Sequence, residues 1–161
     1  MEFFNYTFQF GKSMENDKND FGSFARLASI IRGDPFLKHL GVEVLDVGRG
    51  YAKLRIGEAE HVLRHGGIVN GGAISTLIDA AGGTAAATVN QGKNQVTIEL
   101  KVNFLEAVKK GEMTCEARVI RAGRNIVVCE MDLFDQEGRT CAKGIGTWMV
   151  LYEDKFPFPQ K

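Results

Sequence analysis

A glycine pair in the middle of the chain precedes a run of small residues that carries one carboxylate. Asn70-Gly71-Gly72 leads into a run of small residues that carries Asp79, nine residues after Asn70. The first turn of a helix offers unpaired N–H groups and the positive end of the helix dipole, which together suit an oxyanion. Glycine lets a ligand approach that backbone closely because it has no Cβ. This stretch therefore predicts an active site that uses the start of a helix and the carboxylate of Asp79.

The separation of these two groups has a consequence for assembly. Asn70 is typical of an N-cap, so the helix is expected to begin at Gly71. Asp79 then lies about two and a half turns from Asn70, some 13 Å along a straight helix, and points to a different side from Gly71. If both groups serve one reaction, we expect them to come from two copies of the helix in a homodimer.

The arrangement resembles the hotdog-fold thioesterases, in particular the phenylacetate-pathway-like acyl-CoA thioesterases of the 4-hydroxybenzoyl-CoA thioesterase superfamily. Their fingerprint is His-Gly-Gly, a few small or apolar residues, Leu, one residue and then Asp or Glu. The acid follows the fingerprint His by nine residues, so Asn70-Gly71-Gly72 is the matching triplet and Asn70 stands where the family usually has His. A second His-Gly-Gly begins at His65, just upstream. The resemblance covers roughly residues 34 to 151.

The resemblance implies hydrolysis of an acyl thioester, with a role for each matched residue. Gly71 would present its N–H to the thioester oxygen, where a preorganised donor contributes about 3 kcal/mol. Asp79 would be the base or the nucleophile, with its basicity raised by desolvation on an apolar helix face. Thr97, eighteen residues further on, would donate to that carboxylate or orient the attacking water. His65 would hydrogen-bond the substrate carbonyl or its own loop, or simply precede a turn.

Coenzyme A carries phosphates, so basic residues are expected at the mouth of the site. The candidate contacts to the coenzyme A part of the substrate are Gly72, Arg121, Arg124, Lys143 and, as a further basic residue, Arg64. Arg124 lies in a tight turn, where a basic side chain is commonly just solvated. His39 and His61 have no other candidate catalytic or ligand residues near them in the sequence and are expected at the surface. No cofactor and no metal are expected.

Hydrophobic periodicity predicts an α+β fold. The resemblance identifies it as a hotdog fold, an antiparallel sheet of five or six strands wrapped around one long central helix. Helices are expected over 21–31, 35–40 and 71–90, and strands over 42–47, 51–56, 95–105, 113–121, 125–134 and 140–152. Turn residues at 48–50 indicate a first hairpin, and those at 109–111, 122–124 and 136–138 predict that the last four strands form an antiparallel meander. Small residues, among them Ala80, Ala81 and Ala85, are expected to let the long helix lie close to the sheet.

The composition indicates one globular domain and a small-molecule partner. The chain has 161 residues, 44% of them hydrophobic, and its 20 basic residues balance 20 acidic ones. This balance disfavours nucleic acid or a polybasic membrane surface as the main partner. No apolar run approaches the roughly 18 residues needed to cross a bilayer, so no membrane insertion is expected. The start of the chain lacks the features of a signal peptide, so a cytoplasmic location is expected.

Two further expectations concern the cysteines and the limits of the domain. Cys115, Cys129 and Cys141 lie in strand-like runs without metal-type spacing and are expected to be buried, reduced thiols. The domain is expected to span residues 21–155. Residues 1–20 are interpreted as a loosely held leader, with Met14 as a second candidate start, and residues 156–161 as a C-terminal tail.

The favoured function is hydrolysis of an acyl-CoA thioester to free acid and CoA by a homodimer, which could pair further into a homotetramer. Two alternatives stay open. A hotdog-fold hydratase or dehydratase would act on the carbon chain of an acyl thioester, typically with a His base, for which His65 is the candidate. A non-catalytic acyl-CoA-binding module is favoured if Asp79 proves to be paired and inaccessible.

Overall fold

One sheet and one long helix dominate the chain. The computed structural model describes residues 20–90 and 93–151, with side chains described from residue 24 onwards. The helices are α1 (Asp20–Gly33), α2 (Pro35–Leu40) and α3 (Gly71–Ala87), and a short 3-10 turn spans Glu60–Val62. The strands are β1 (Val42–Gly48), β2 (Tyr51–Ile56), β3 (Asn94–Phe104), β4 (Met113–Ala122), β5 (Ile126–Asp135) and β6 (Thr140–Leu151). The predicted leader up to residue 19, with Met14, and the predicted tail lie outside the described residues.

The strands form one six-stranded antiparallel sheet in the order β1-β2-β4-β5-β6-β3. The α3 helix packs against all six of these strands and lies across the sheet as the central element. This arrangement confirms the predicted α+β hotdog architecture, at the higher of the two expected strand counts.

One prediction about strand order was wrong. The turn residues at 109–111 were expected to join β3 to β4 in a continuous meander, but β3 pairs with β6 and forms the end of the sheet. Instead, the connection from β3 to β4 crosses the sheet, where the N–H groups of Leu105 and Glu106 both donate to the carbonyl of Cys141. Turn residues allow the chain to reverse without determining which strand the next one will pair with. Only β4, β5 and β6 form the expected meander.

Local signals define the element boundaries well. The Asp34 side chain accepts from the N–H groups of Phe36 and Leu37 at 2.9 and 3.0 Å, and Pro35 occupies the first helical position of α2. The α3 helix begins at Gly71 as predicted but ends at Ala87, three residues before the expected boundary. There the Thr88 hydroxyl donates to Ala85 and accepts from the N–H of Gly50, which ties the helix end to the first hairpin turn.

Small residues allow α3 to approach the sheet closely. Ala81 and Ala85 are fully buried, and Ala80 packs against the same core, which confirms the packing interpretation of these alanines. The indole of Trp148, on β6, fills the space beside Gly82. A Cβ at Gly82 would lie 2.8 Å from Trp148 Cζ2 and 2.9 Å from Met131 Sδ, closer than real side chains pack. The position of the helix therefore depends on the absence of a side chain at Gly82.

The cysteines are buried as predicted. Cys115, Cys129 and Cys141 are free and have no measurable exposure. Burial raises the pKa of Cys129 to about 12, and desolvation likewise raises the pKa of Cys115 and Cys141. These thiols therefore stay protonated at physiological pH and fill the core as small apolar groups.

Candidate active site

The start of α3 is shaped by its N-cap. Asn70 has an extended backbone, and its Oδ1 accepts the N–H of Gly72 at 2.7 Å, which confirms the capping prediction. The N–H of Gly71, one residue earlier, has no acceptor within the described ranges. An N–H at the first helical position points away from the helix body with the positive end of the dipole behind it. Gly71 is therefore the donor available to an oxyanion, whereas the N–H of Gly72 is already engaged by the cap.

The upstream His-Gly-Gly forms a turn. Gly66 and Gly67 have φ values of 102° and 75°, which L residues with side chains rarely adopt. The turn is closed by Arg64 N–H donating to the carbonyl of Ile68 at 2.9 Å. His65 is exposed at its tip, and Arg64 is also exposed. This glycine pair is explained by the turn, and the structure does not bring His65 into contact with Asp79.

Asp79 lies half-buried in the middle of α3, and among the described residues its hydrogen-bond partner is a hydroxyl on the adjacent edge strand. Thr97 Oγ1, on β3, donates to Asp79 Oδ1 at 2.9 Å. Burial raises the pKa of the Asp79 carboxyl above its ordinary value, while the hydrogen bond from Thr97 partly opposes the rise. No charged side chain of the described chain contributes to this shift. A carboxylate without a counter-ion, made more basic by burial, is able to take a proton from water.

A β-bulge directs Thr97 towards α3. The apolar residues of β3 alternate as Val96, Ile98, Leu100 and so on, a pattern that would turn Thr97 away from the core. The register shifts between Thr97 and Glu99, so Thr97 pairs with the buried Trp148 while Leu100 pairs with Gly146. Ile98 is 52% exposed as a result. The bulge thus allows a polar residue before it and apolar residues after it to face the helix.

Phe104 is a site residue that the sequence analysis missed. A Cβ added to Gly71 would lie 3.4 Å from Phe104 Cζ and 3.5 Å from Cε1, so the ring covers the first residue of α3. The side chain is nevertheless 55% exposed. No local pattern could have indicated this contact, because it depends on the bulge in β3 and on the pairing of β3 with β6. The ring leaves an apolar surface beside the Gly71 N–H.

A groove of about 280 Å³ opens on the other side of the helix start. It is lined by α2, the 3-10 turn and the first turns of α3, through Phe36, Leu40, His61, Val62, Leu63, Asn70, Gly72, Ala73 and Thr76. His61 was expected at the surface; it is exposed, lines this groove and lies with its ring 5.4 Å from that of His39. Phe36 is 60% exposed at the rim. An apolar group could therefore bind next to the start of α3.

The basic candidates are dispersed over the sheet. Lys143, on β6, alternates with the buried Ala142 and points to the face opposite α3, where it forms an ion pair with Asp132. Arg121 is exposed near the end of β4, and Arg124 is exposed in the turn that follows. The structure does not bring Lys143 to the side of the sheet that carries Asp79.

Within one chain the two central groups of the site remain apart. Asp79 follows Gly71 by eight residues on α3, which corresponds to roughly 12 Å along the axis and about 80° around it.

Among residues 20–90 and 93–151 no cluster of three His, Cys, Asp or Glu side chains could hold a metal ion. In the same ranges, none of the helices has the length and apolar character required to cross a bilayer.

Comparison with known proteins gives a consistent family assignment. A model of the thioesterase superfamily matches residues 66–142. A protein of Saccharolobus solfataricus named "Putative esterase" is 42% identical over 120 residues, which cover 74% of this chain and 86% of the relative. Among solved structures, a thioesterase of Haemophilus influenzae is similar with a TM-score of 0.73 and 25% identity, covering 81% of this chain and 92% of that one. The PaaI protein from the phenylacetic acid degradation operon of Escherichia coli shares the fold, with a TM-score of 0.75 and 21% identity over 81% of this chain and 94% of its own.

Proposed function

The chain belongs to the thioesterase superfamily, and from this premise we propose that it hydrolyses an acyl-CoA thioester to free acid and CoA. The observation that carries the proposal is the half-buried Asp79, whose carboxyl accepts a hydrogen bond from Thr97 and has a raised pKa without a counter-ion among the described residues. Burial makes this carboxylate a stronger base than an exposed aspartate. The related esterases and thioesterases support hydrolysis as the reaction class.

The reaction needs a base or nucleophile and a donor for the developing oxyanion. In the first form, Asp79 takes a proton from water, the hydroxide attacks the thioester carbon, and the Gly71 N–H stabilises the oxyanion. Collapse of the intermediate breaks the C–S bond, and the CoA thiolate receives the proton from Asp79. In the second form, the Asp79 carboxylate attacks the same carbon, and the C–S bond breaks to give an anhydride and CoA thiolate. Water then hydrolyses the anhydride to the free acid and the Asp79 carboxylate, and the proton released goes to the thiolate. Thr97 orients the carboxylate in both.

We propose a homodimer because the oxyanion donor and the carboxylate of one chain lie too far apart to serve the same site. Gly71 and Asp79 lie roughly 12 Å apart on one helix, too far to contact one thioester carbon. The edge strand β3 has β6 as its described partner on one side, and a long open edge is a surface that proteins usually cover. Two α3 helices side by side, with the sheets continuous through β3, would place Gly71 of one subunit near Asp79 of the other. Pairing of two dimers into a tetramer stays a further possibility for the exposed face of the sheet.

The acyl group has an apolar surface available at the start of α3. Phe104 covers Gly71 on one side, and the groove containing Leu40 and Leu63 borders Gly72 on the other. Both surfaces are next to the proposed oxyanion donor, as an acyl group attached to the thioester carbon requires. The phosphates of CoA would reach the exposed basic residues Arg64, Arg121 and Arg124.

A panel of acyl-CoA substrates with a thiol reagent for free CoA tests the activity. Release of CoA supports hydrolysis, whereas a hydratase would change the absorbance of an unsaturated acyl chain and release no thiol. Single-turnover hydrolysis in water enriched in oxygen-18 separates the two forms of the reaction. Direct attack by water labels the acid and never the protein, whereas label on the protein after one turnover shows an anhydride that water hydrolysed at the Asp79 carbonyl. Binding of acyl-CoA without any thiol release would favour the binding-module alternative.

A mixing experiment tests the shared site. Gly71→Pro removes the N–H at a helix position that proline tolerates, and Asp79→Asn removes the carboxylate. Each variant alone should be inactive. If each site combines Gly71 of one subunit with Asp79 of the other, refolding both variants together restores about a quarter of wild-type activity, since half of the dimers are mixed and carry one intact site of two. No recovery in mixed dimers confirmed by native mass spectrometry would contradict a site shared between subunits.

A further inference from the structure

A glutamine near the start of β3 ties this strand to α3 beside the Asp79–Thr97 contact. Gln95 Nε2 donates to the carbonyl of Gly83 at 2.6 Å. We propose that Gln95 is a positioning residue, which holds the Thr97 hydroxyl at hydrogen-bonding distance from the Asp79 carboxylate. The inference rests on the proposed function of Asp79 and adds a residue that determines its geometry.

The two contacts form matched rungs between the same strand and the same helix. Gln95 and Thr97 are two residues apart on β3, about 6.6 Å along a strand, and their side chains lie on the same face. Gly83 and Asp79 are four residues apart on α3, about 6 Å along a helix and close to the same side. The distances along the two elements therefore agree, and a shift of β3 against α3 would strain both rungs at once.

The amide of Gln95 is held at both ends. Its Oε1 accepts from Asn90 Nδ2 at 2.7 Å, and the same Asn90 group donates to the carbonyl of Lys93 at 2.9 Å. Asn90 is only 5% exposed. An amide pair that is buried at Asn90 and half-buried at Gln95 is a firm connection, because releasing it leaves the buried amide of Asn90 with one partner fewer. Gln95 is therefore a fixed strut between strand and helix.

The surroundings of Thr97 explain why such a strut is needed. The β-bulge directly after Thr97 interrupts the ladder with β6, so strand pairing on that side is irregular. On the helix side, Gly82 and Gly83 offer no side chains that could hold β3 by packing. Gln95 lies two residues before Thr97 on the same face of β3, and both side chains reach α3 with a hydrogen bond before the bulge. It adds a direct hydrogen bond from β3 to the backbone of α3 next to the contact between Thr97 and Asp79.

Few other groups influence the charge of Asp79. The buried titratable side chains on the strands that pack against α3 are Cys115, Cys129, Cys141 and Asp135. The thiols stay neutral because burial raises their pKa, and Asp135 is held by Arg139 in the β5–β6 turn. On β3 the charged residues beyond Thr97 are the exposed Glu99 and Lys101. The Thr97 hydrogen bond is thus the specific contact through which Gln95 can influence the pKa of Asp79.

The test combines Gln95→Met with Thr97→Val. Methionine keeps the length of the side chain and removes both hydrogen bonds of the amide. We expect Gln95→Met to lower kcat at least about tenfold with KM changed less than about threefold, because a small displacement of a catalytic group is costly. Since the Thr97 hydrogen bond lowers the pKa of Asp79, its loss should move the acidic limb of the kcat profile to higher pH. Thr97→Val should move the limb in the same direction.

A double-mutant cycle separates positioning from a general loss of structure. If Gln95 acts through Thr97, Gln95→Met has little further effect on kcat or on the acidic limb in the Thr97→Val background. Additive effects, or a loss of activity without movement of the limb, would overturn the proposal. Thr88→Val is the matched control, since it removes two half-buried hydrogen bonds at the end of α3 and should leave the limb in place.

Two measurements keep the outcome decisive. Gln95→Glu retains an acceptor for Asn90 and loses the donor to Gly83, so it replaces Gln95→Met if that variant does not fold. The added carboxylate also raises the pKa of Asp79 directly, so this variant is compared with the same substitution in the Thr97→Val background, where only the direct part of the rise should remain. The pKa of Asp79 can also be measured directly by carbon-13 NMR of the labelled carboxyl, with Asp79→Asn for assignment. A rise in Gln95→Met would support the strut even if no thioesterase activity were found, so the two proposals can fail separately. An unchanged pKa in a folded variant would refute the strut.

Discussion

Two glycine pairs in α3 look alike in the sequence and occupy opposite environments. Gly71 and Gly72 form the accessible helix start, where an added Cβ would meet only Phe104 at 3.4 Å and the cap oxygen of Asn70 at 3.1 Å. Gly82 faces Trp148, which is 2% exposed and leaves no room for a side chain. The first pair exposes the backbone to a ligand, and the second allows the helix to touch the sheet. Substitutions should therefore reduce activity at one end of α3 and stability in its middle.

The largest expected effect is that of Asp79→Asn on turnover. The amide keeps the volume of the side chain and an acceptor for Thr97 but cannot take a proton, so kcat should fall at least about a hundredfold. Wild-type rates in the purified variant would show that Asp79 has a structural role only.

The same substitution should increase stability at neutral pH. The pKa of Asp79 is raised in the folded state, so folding favours the protonated carboxyl. The free energy of unfolding therefore falls as the pH rises from the pKa of the unfolded state through the higher pKa of the folded state. Above that window the wild type carries a desolvated charge that Asp79→Asn lacks. Thermal unfolding should show a higher Tm for the variant at pH 7, and the difference should shrink below about pH 3.8, the ordinary carboxyl value. A lower Tm at pH 7 would contradict the desolvation argument.

Gly71→Pro should have the next largest effect. Proline at the first helical position lacks the N–H and has a φ suited to the helix, so the fold should persist while kcat falls about a hundredfold. Gly71→Ala is the matched control, because it keeps the N–H and adds only a Cβ near Phe104. Circular dichroism and kcat together distinguish the two. Similar activity in both variants would remove Gly71 as the oxyanion donor.

Gly82→Ala, in the buried glycine pair, should reduce stability rather than activity. The Cβ would overlap Trp148 and Met131. Such overpacking costs about 1–3 kcal/mol, whereas alanine gains about 1 kcal/mol over glycine in helix propensity, so the net effect is a loss of up to about 2 kcal/mol. Urea unfolding should show lower stability, with kcat per folded molecule changed little. Gly83→Ala, whose Cβ would lie 3.2 Å from Trp148 Nε1, should be tolerated better. Equal stability of the two variants would contradict the packing argument.

The smallest effect is expected from Asn70→Asp. Aspartate is as good an N-cap as asparagine and suits the helix dipole, so the free energy of unfolding at pH 7 should hold. Its negative charge would lie beside the proposed oxyanion at Gly71, and kcat should fall about tenfold, a loss of roughly 1.4 kcal/mol of transition-state stabilisation. Asn70→His, which restores the usual residue of the fingerprint, should retain activity. Full activity of Asn70→Asp across the pH range would argue against an oxyanion at this helix end.

The sequence alone determined those features that depend on neighbouring residues. The Asp34-Pro35 start of α2, the Asn70 cap of α3 and the hairpin at Gly48–Gly50 each depend on hydrogen bonds and backbone angles within a few residues. The position of Asp79 on α3 follows from the same local helix. Burial of the cysteines follows from the alternation within their strands. Such signals are legible in one sequence because the interacting groups are close in the chain.

Contacts between distant segments were decided only by the tertiary structure. The pairing of β3 with β6 has no local signal, since a turn directs the chain without selecting its partner strand. The bulge after Thr97 shifts the alternation of β3 by one residue. Residues before and after the bulge therefore face α3 although the sequence pattern assigns them to opposite faces of the strand. From that bulge follow the orientation of Phe104 over Gly71 and the strut formed by Gln95. Both contacts depend on how the edge of the sheet packs against the helix, and the spacing of residues along the chain does not determine that packing.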